Sequence, residues 1–330
     1  MDDGHGVRIE ARTIPVPTSI SAHAREYLRD KVAADGVPHN ARIAVPAADD
    51  SEGWIRMQAA VEQHYAQALA AAAGRVRAQA RTLQVGTATV HLATPVEPQD
   101  PDAALIELHG GALVFGGGQA CRIGACVQAD LHGLACYGAD YRMPPAHPYP
   151  AALDDCLAVY RAVLARHDAA RVVISGRSAG GSLAAAMLQR ARDEGLPLPA
   201  GLVLLSPEVD LTESGDSFQV NRTVDVVLPG SLMAQNLLYA GGADLADPRL
   251  SPLFGRFDGF PPTFLQSGTR DLFLSNTVRL HRALRRADVD AQLHVFEAMP
   301  HGGFNGAPED EELAREVAAF VRRVLGRAPT

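Results

Sequence analysis

RVVISGRSAGGSL, residues 171–183, joins three local signals in one short run. Val172, Val173 and Ile174 make an unbroken apolar run, the mark of a strand covered on both faces. Gly176-Arg177-Ser178-Ala179-Gly180 is a Gly-x-Ser-x-Gly turn. Leu183, Met187 and Leu188 then recur at helical spacing, with Gly195 and Pro197 as stop signals. Strand, turn and helix in this order suit a serine hydroxyl projected from a sharp elbow. Such a turn leaves no room for flanking side chains, which accounts for Gly176 and Gly180. A helix starting just after Ser178 would aim backbone N–H groups at a developing oxyanion. In a chain with 30 glycines the motif alone is weak, so the rest of the sequence must supply partners for the serine.

Working outward, hydrophobic runs alternate with helical patterns. Strands are expected at Arg81–Val85, Thr87–Ala93, Ala104–Leu108, Leu134–Tyr141, Leu202–Ser206, Thr263–Ser267 and Leu293–Phe296. Helices are expected near Ala151–Arg166, Asn276–Ala287 and Glu309–Leu325. The last has acids at its start and arginines near its end, matching its dipole. This alternation predicts an α/β chain with a mostly parallel central sheet flanked by helices. Two segments break it. Residues 1–75 open as an irregular arm over 1–18. A helix capped by Ser19 or Ser21 and running to about Ala34 follows, then a longer one over Glu52–Ala73 with a Trp54, Met57, Val61, Tyr65, Leu69 stripe. Residues 208–245 mix acidic, helical and glycine-rich pieces. The expected organisation is a helical cap from 1–75 and 208–245 over a core made of 76–207 and 246–330.

Composition sets bounds. The chain has 330 residues, 47% of them hydrophobic and 21% charged, as in an ordinary globular protein. Its formal net charge of -8 and the lack of a basic stretch argue against a nucleic-acid partner. Cys121, Cys126, Cys136 and Cys156 show neither a CxxC pair nor zinc-ligand spacing, and read as buried free thiols. No run approaches membrane-spanning length and the first residues carry no apolar leader, so a cytoplasmic setting is expected.

A serine nucleophile needs a base, and the base needs an orienting acid. In open α/β sheets such groups gather past the carboxyl ends of strands. Asp271 follows the strand at Thr263–Ser267, and His301 follows the strand at Leu293–Phe296. The order Ser178, Asp271, His301 is that of the α/β-hydrolase arrangement. His109-Gly110-Gly111-Ala112 follows Ala104–Leu108 and offers bare backbone N–H groups for an oxyanion; Ala179 offers another. His109 is expected to brace the loop. No Gly-Lys-Ser/Thr follows it and its spacing misses GxGxxG, which disfavours a nucleotide-binding α/β protein. Phe115, Phe218, Met233, Leu237 and Phe304 are apolar candidates for the substrate pocket.

At these residues the chain resembles the hormone-sensitive-lipase-like (bacterial family IV) α/β-hydrolase esterases. His109–Gly111 looks like the family's HGG loop, and Gly176–Gly181 like its G-x-S-A-G-G elbow. Asp140-Tyr141-Arg142, Pro145, His147-Pro148 and Pro150-Ala151-Ala152 are similar to its DYR…P.HP.PAA signature. Ser206-Pro207 with Asp210-Leu211-Thr212, and Ser251-Pro252-Leu253, also look like family segments. The resemblance implies hydrolysis of short- to medium-chain carboxylic esters without cofactor or metal. It implies Ser178 as nucleophile, His301 as base and Asp271 as orienting acid. Gly111, Ala112 and Ala179 N–H groups would hold the oxyanion, with Gly110 positioning the loop.

The same machinery would serve a lactone, carbamate, aryl amide or acetyl ester. A non-catalytic ligand binder on this scaffold is a further alternative. Homodimers are common among similar proteins, and nothing in the sequence demands one. Two positions depart from the family pattern: Arg177 stands where Asp is common, and Ala146 where Glu is common. Arg177 is expected either to pair with a nearby acid such as Asp140 or to retune the charge around His301. Ala112 closes the loop where glycine is usual, a methyl that fits if φ stays negative.

Overall fold

The computed structural model describes residues 6, 7 and 9–327, the side chains of 70–72 excepted. Of the arm expected over 1–18, residues 1–5 and 8 lie outside the described set, and the rest is irregular. The elements are α1 (Ala22–Asp30), α2 (Ser51–Ala73), β1 (Gln79–Val85), β2 (Ala88–Thr94), β3 (Ala104–Leu108), α3 (Gln119–His132) and β4 (Ala135–Asp140). Then come α4 (Ala151–Leu164), β5 (Val172–Arg177), α5 (Ala179–Asp193), β6 (Gly201–Leu205), α6 (Ser217–Val220) and α7 (Met233–Ala240). The chain closes with β7 (Thr263–Gly268), α8 (Leu274–Arg286), β8 (Ala291–Phe296) and α9 (Pro308–Val324).

Among the described residues, eight strands form one sheet in the order β1-β2-β4-β3-β5-β6-β7-β8. β1 and β2 form an antiparallel hairpin, β2 runs antiparallel to β4, and the remaining pairs are parallel. The hairpin closes through Gly86 and Thr87, with Gly86 at φ +60°, the sign a first position of a II′ turn requires. That turn takes Thr87 out of the expected second strand.

Alternation along the strands divides the core. Ile106, Ile174 and Leu204 face α4, α5 and α8, where Leu157, Leu183 and Leu280 meet them. Leu105, Val173 and Val203 face α3 and α9, where Cys126, Val317 and Phe320 lie. Ser21 caps α1, its Oγ accepting from the Ala24 N–H at 3.1 Å. Ser21 also donates its backbone N–H and its hydroxyl to the Glu309 carboxylate of α9, at 2.7 and 2.8 Å. This joins the N-terminal segment to the far end of the chain. α1 ends at Asp30, short of the expected Ala34.

Candidate active site

β5 delivers Ser178 at φ +56° and ψ -124°, a conformation L-residues avoid. Such a residue costs about 1–3 kcal/mol. Val172, Val173 and Ile174 just before it are fully buried. Each contributes about 1.5–3 kcal/mol by burial, so the strand outweighs the strain of its own end. The neighbours permit nothing larger. A Cβ on Gly176 would come within 2.4 Å of the Gly180 carbonyl oxygen, and one on Gly180 within 1.9 Å of that of Leu108. The Ser178 N–H donates to the Leu205 carbonyl at 2.9 Å, fixing the turn against β6.

The three residues expected past separate strand ends come together. His301 Nε2 lies 3.0 Å from Ser178 Oγ, and His301 Nδ1 lies 3.1 Å from Asp271 Oδ1. All three side chains are buried. Asp271 also accepts from Ser267 Oγ at 2.6 Å and from the Phe273 N–H at 3.0 Å. Burial alone would raise its carboxyl. The His301 charge, the His301 hydrogen bond and these two donors outweigh burial and hold it below the usual carboxylate range. Phe273 stands edge-on to the His301 ring at 4.9 Å and limits its rotation.

A second buried carboxylate, Asp225, stands behind this group and escaped the sequence reading. Its Oδ2 accepts the Leu272 N–H at 2.8 Å and the His301 N–H at 3.3 Å. Its Oδ1 accepts the Val227 N–H at 2.9 Å. Burial, then repulsion from Asp271, push its carboxyl up to about 6. Asn221 adds a clamp, its Nδ2 donating to the Asp271 carbonyl at 2.8 Å. Both lie in the 208–245 segment, where no motif or spacing marks them.

The His109–Ala112 loop borders the same cavity as Ser178. Among the described residues, the N–H groups of Gly110, Gly111, Ala112 and Ala179 have no protein acceptor, which leaves them free to meet an oxyanion. The loop is closed by the Gly111 carbonyl, which accepts from the N–H groups of Val114 and Phe115. A Cβ on Gly111 would sit 2.1 Å from the Phe115 carbonyl oxygen. The condition of a negative φ at Ala112 is not met. Ala112 has φ +52° and Leu113 φ +63°, because the chain must double back within one turn to reach Val114. His109 acts as the expected brace. It stacks on Tyr141 at 4.0 Å, its Nδ1 lies 2.8 Å from the Gly110 oxygen, and its own carbonyl accepts from Tyr141 Oη at 2.8 Å.

Above Ser178 lies a cavity of about 590 Å³. Met57, Val61 and Tyr65 of α2 form one wall, and Val227, Leu228 and Leu232 another. Of the five expected pocket residues only Phe115 lines it. Phe218 packs with Leu232, Leu272 and Phe273 beneath the site, in a separate apolar cluster. Met233 begins α7 but leaves the wall to its neighbours Leu232 and Gln235. Leu237 turns to solvent on the other side of that helix, 48% exposed. Phe304 is fully buried against Ile20 and Leu28 of the N-terminal segment, where it anchors the loop that carries His301. Arg177 does not reach Asp140. That carboxylate takes His91 Nε2 at 3.2 Å and the Gly118 N–H at 3.0 Å, while Arg177 Nη1 lies 3.3 Å from the Gly302 carbonyl oxygen.

No helix among the described residues is long and apolar enough to cross a membrane. The sequence profile of the alpha/beta hydrolase fold matches residues 105–305, a span that holds Ser178, Asp271, His301 and the His109–Ala112 loop. An acetyl-hydrolase of Streptomyces hygroscopicus is 34% identical over 241 residues, covering 70% of this chain and 79% of its own. The crystal structure of an esterase, E25, superposes with a TM-score of 0.88 at 33% identity, over 98% of this chain and 99% of that one. An esterase from the bacterial hormone-sensitive lipase family superposes with a TM-score of 0.77 at 28% identity, over 93% and 100%. The chain thus belongs to the alpha/beta hydrolase fold family, among its bacterial esterases of the hormone-sensitive-lipase type.

Proposed function

We propose that the chain is a serine carboxylesterase acting on short- to medium-chain esters through an acyl-enzyme. The observation that carries this reading is the continuous line from Asp271 Oδ1 through the His301 ring to Ser178 Oγ, with steps of 3.1 and 3.0 Å. Ser178 Oγ attacks the ester carbonyl while His301 Nε2 takes its proton. Asp271 keeps Nδ1 protonated and stabilises the imidazolium that forms. The N–H groups of Gly111, Ala112 and Ala179 receive the oxyanion, with the N-terminus of α5 adding its dipole. The imidazolium then gives its proton to the departing alkoxide. A water molecule, activated by the same imidazole, repeats the sequence on the acyl-enzyme and frees the acid.

The segments 1–75 and 208–245 act together as the cap in this reading. Its support is that both contribute apolar side chains to the cavity over Ser178. The cavity's size and largely apolar wall favour an acyl chain longer than acetate. The experiment is a chain-length series of chromogenic esters on the wild-type protein and on Ser178→Ala, with a serine-directed phosphonate as label. Turnover abolished by Ser178→Ala and an adduct mapped to Ser178 are the expected results. An unlabelled Ser178, or hydrolysis that survives the substitution, overturns the reading.

A further inference from the structure

Beneath the His109–Ala112 loop, on the α3 side of the sheet, four elements bring polar side chains to one point. A ring nitrogen of His109, the Sγ of Cys121 and a carboxylate oxygen of Asp140 lie within 4.8 Å of one another. His109 follows β3, Cys121 lies in the first turn of α3, and Asp140 ends β4. The fourth group, His91 of β2, holds the Asp140 carboxylate through Nε2 at 3.2 Å, and its own Nδ1 meets Thr82 Oγ1 at 3.1 Å.

His109 carries the decisive detail. Its Nδ1 lies 2.8 Å from the Gly110 oxygen, an acceptor only, so Nδ1 holds the ring proton and donates. Nε2 is then a bare lone pair. That atom is buried and has no partner among the described residues. An imidazole whose other nitrogen donates to a backbone carbonyl is the arrangement that presets a metal-ligating histidine. A carboxylate oriented by a second histidine has the same character.

We propose that His109 Nε2, Cys121 Sγ and the Asp140 carboxylate bind a thiophilic divalent cation such as Zn²⁺, with His91 orienting Asp140. Three ligands of types N, S and O suit zinc, with a fourth position left to water. Ligand atoms around tetrahedral zinc stand about 3.3–3.8 Å apart, so the trio closes by at most roughly 1.5 Å. Rotation of the short Cys121 and Asp140 side chains supplies that movement. On binding, Cys121 gives up its thiol proton to solvent, and thiolate plus carboxylate neutralise the cation. Asp140 is 17% exposed beside Gly117 and Gly118, which gives a hydrated ion its way in. Because His109 is the first residue of the proposed oxyanion loop, an ion there would stiffen that loop from below.

Cobalt reports on such a site without reference to turnover. Titrating the metal-free full chain with Co²⁺ should produce thiolate-to-cobalt charge-transfer absorption in the near ultraviolet, saturating at one equivalent and displaced by Zn²⁺. Cys121→Ser should lose that absorption while keeping ester hydrolysis within twofold of wild type. Cys126→Ser should keep it. Asp140→Asn, a second variant independent of the thiol, should weaken Co²⁺ binding at least tenfold. No charge-transfer absorption in the wild type, or absorption that persists in Cys121→Ser, overturns the proposal.

Discussion

Arg177 Nη1 lies 3.3 Å from the carbonyl oxygen of Gly302. The residue before the proposed nucleophile is thereby tied to the residue after the proposed base. The guanidinium also lies in the field of the buried Glu107 carboxyl on the neighbouring strand β3. Arg177→Ala should loosen the His301 loop and lower kcat by about three- to tenfold, near 1 kcal/mol, with KM within twofold. Arg177→Lys should recover part of the loss. Arg177→Asp sets a second acid near Glu107 and should lower the melting temperature further than Ala does. An unchanged kcat in Arg177→Ala would show that the tether positions nothing.

Asp271 receives donors from Ser267 and Phe273 as well as from His301. An amide in its place can turn its NH₂ toward His301 and reverse the ring's tautomer. Asp271→Asn should therefore lower kcat by about 10⁴ while the fold stays intact. Circular dichroism beside steady-state kinetics checks both halves. A loss of less than about tenfold would sink the assigned role.

Ala112→Gly relieves a positive φ that costs roughly 1–2 kcal/mol. Against this stand the lost methyl burial, about 0.8 kcal/mol, and the entropy of glycine, roughly 0.5–1 kcal/mol. These nearly cancel, so the melting temperature should barely move. The visible effect should be on substrates, since Ala112 lines the cavity beside Ser178. The expected result is a several-fold gain in kcat/KM for longer acyl chains relative to acetate. Equal ratios in the two proteins would contradict it.

Glu107 titrates unusually. Burial pushes its carboxyl up to about 7, with Ser175 and Arg177 pulling the other way. A carboxyl raised in the folded state adds stability below its unfolded value and loses it as pH rises through the folded value. The window runs from about 4.5 to about 7. Across it the stability of the wild type relative to Glu107→Gln should fall by up to about 3 kcal/mol. Urea melts of both proteins at several pH values measure this. Parallel curves would mean that Glu107 is not the group responsible.

Residues near one another in sequence announced much of this molecule. The elbow, the strand ends before Asp271 and His301, and the glycine loop were legible because each needs a specific local backbone. Asp225 was not, since its role comes from packing the 208–245 segment against the loop after β7 and the His301 loop. The pocket shared that difficulty. An apolar residue in the 208–245 segment can face the cavity, the core or solvent, and Leu232, Phe218 and Leu237 took one fate each. The backbone at Ala112 was hidden for a simpler reason. Alanine disfavours positive φ, and the loop's closure on Gly111 overrode that preference.

The four free thiols are all buried, on β4 and on helices covering both sheet faces, and burial raises each of them above an ordinary cysteine. Intact molecules should therefore resist alkylation, and each sulfur should become reactive only when its own neighbourhood opens. Pulsed labelling read by mass spectrometry would then time the separate opening of the two layers, Cys156 of α4 for one and Cys126 of α3 for the other. The native sequence already carries its own clocks for local unfolding, with no probe engineered in.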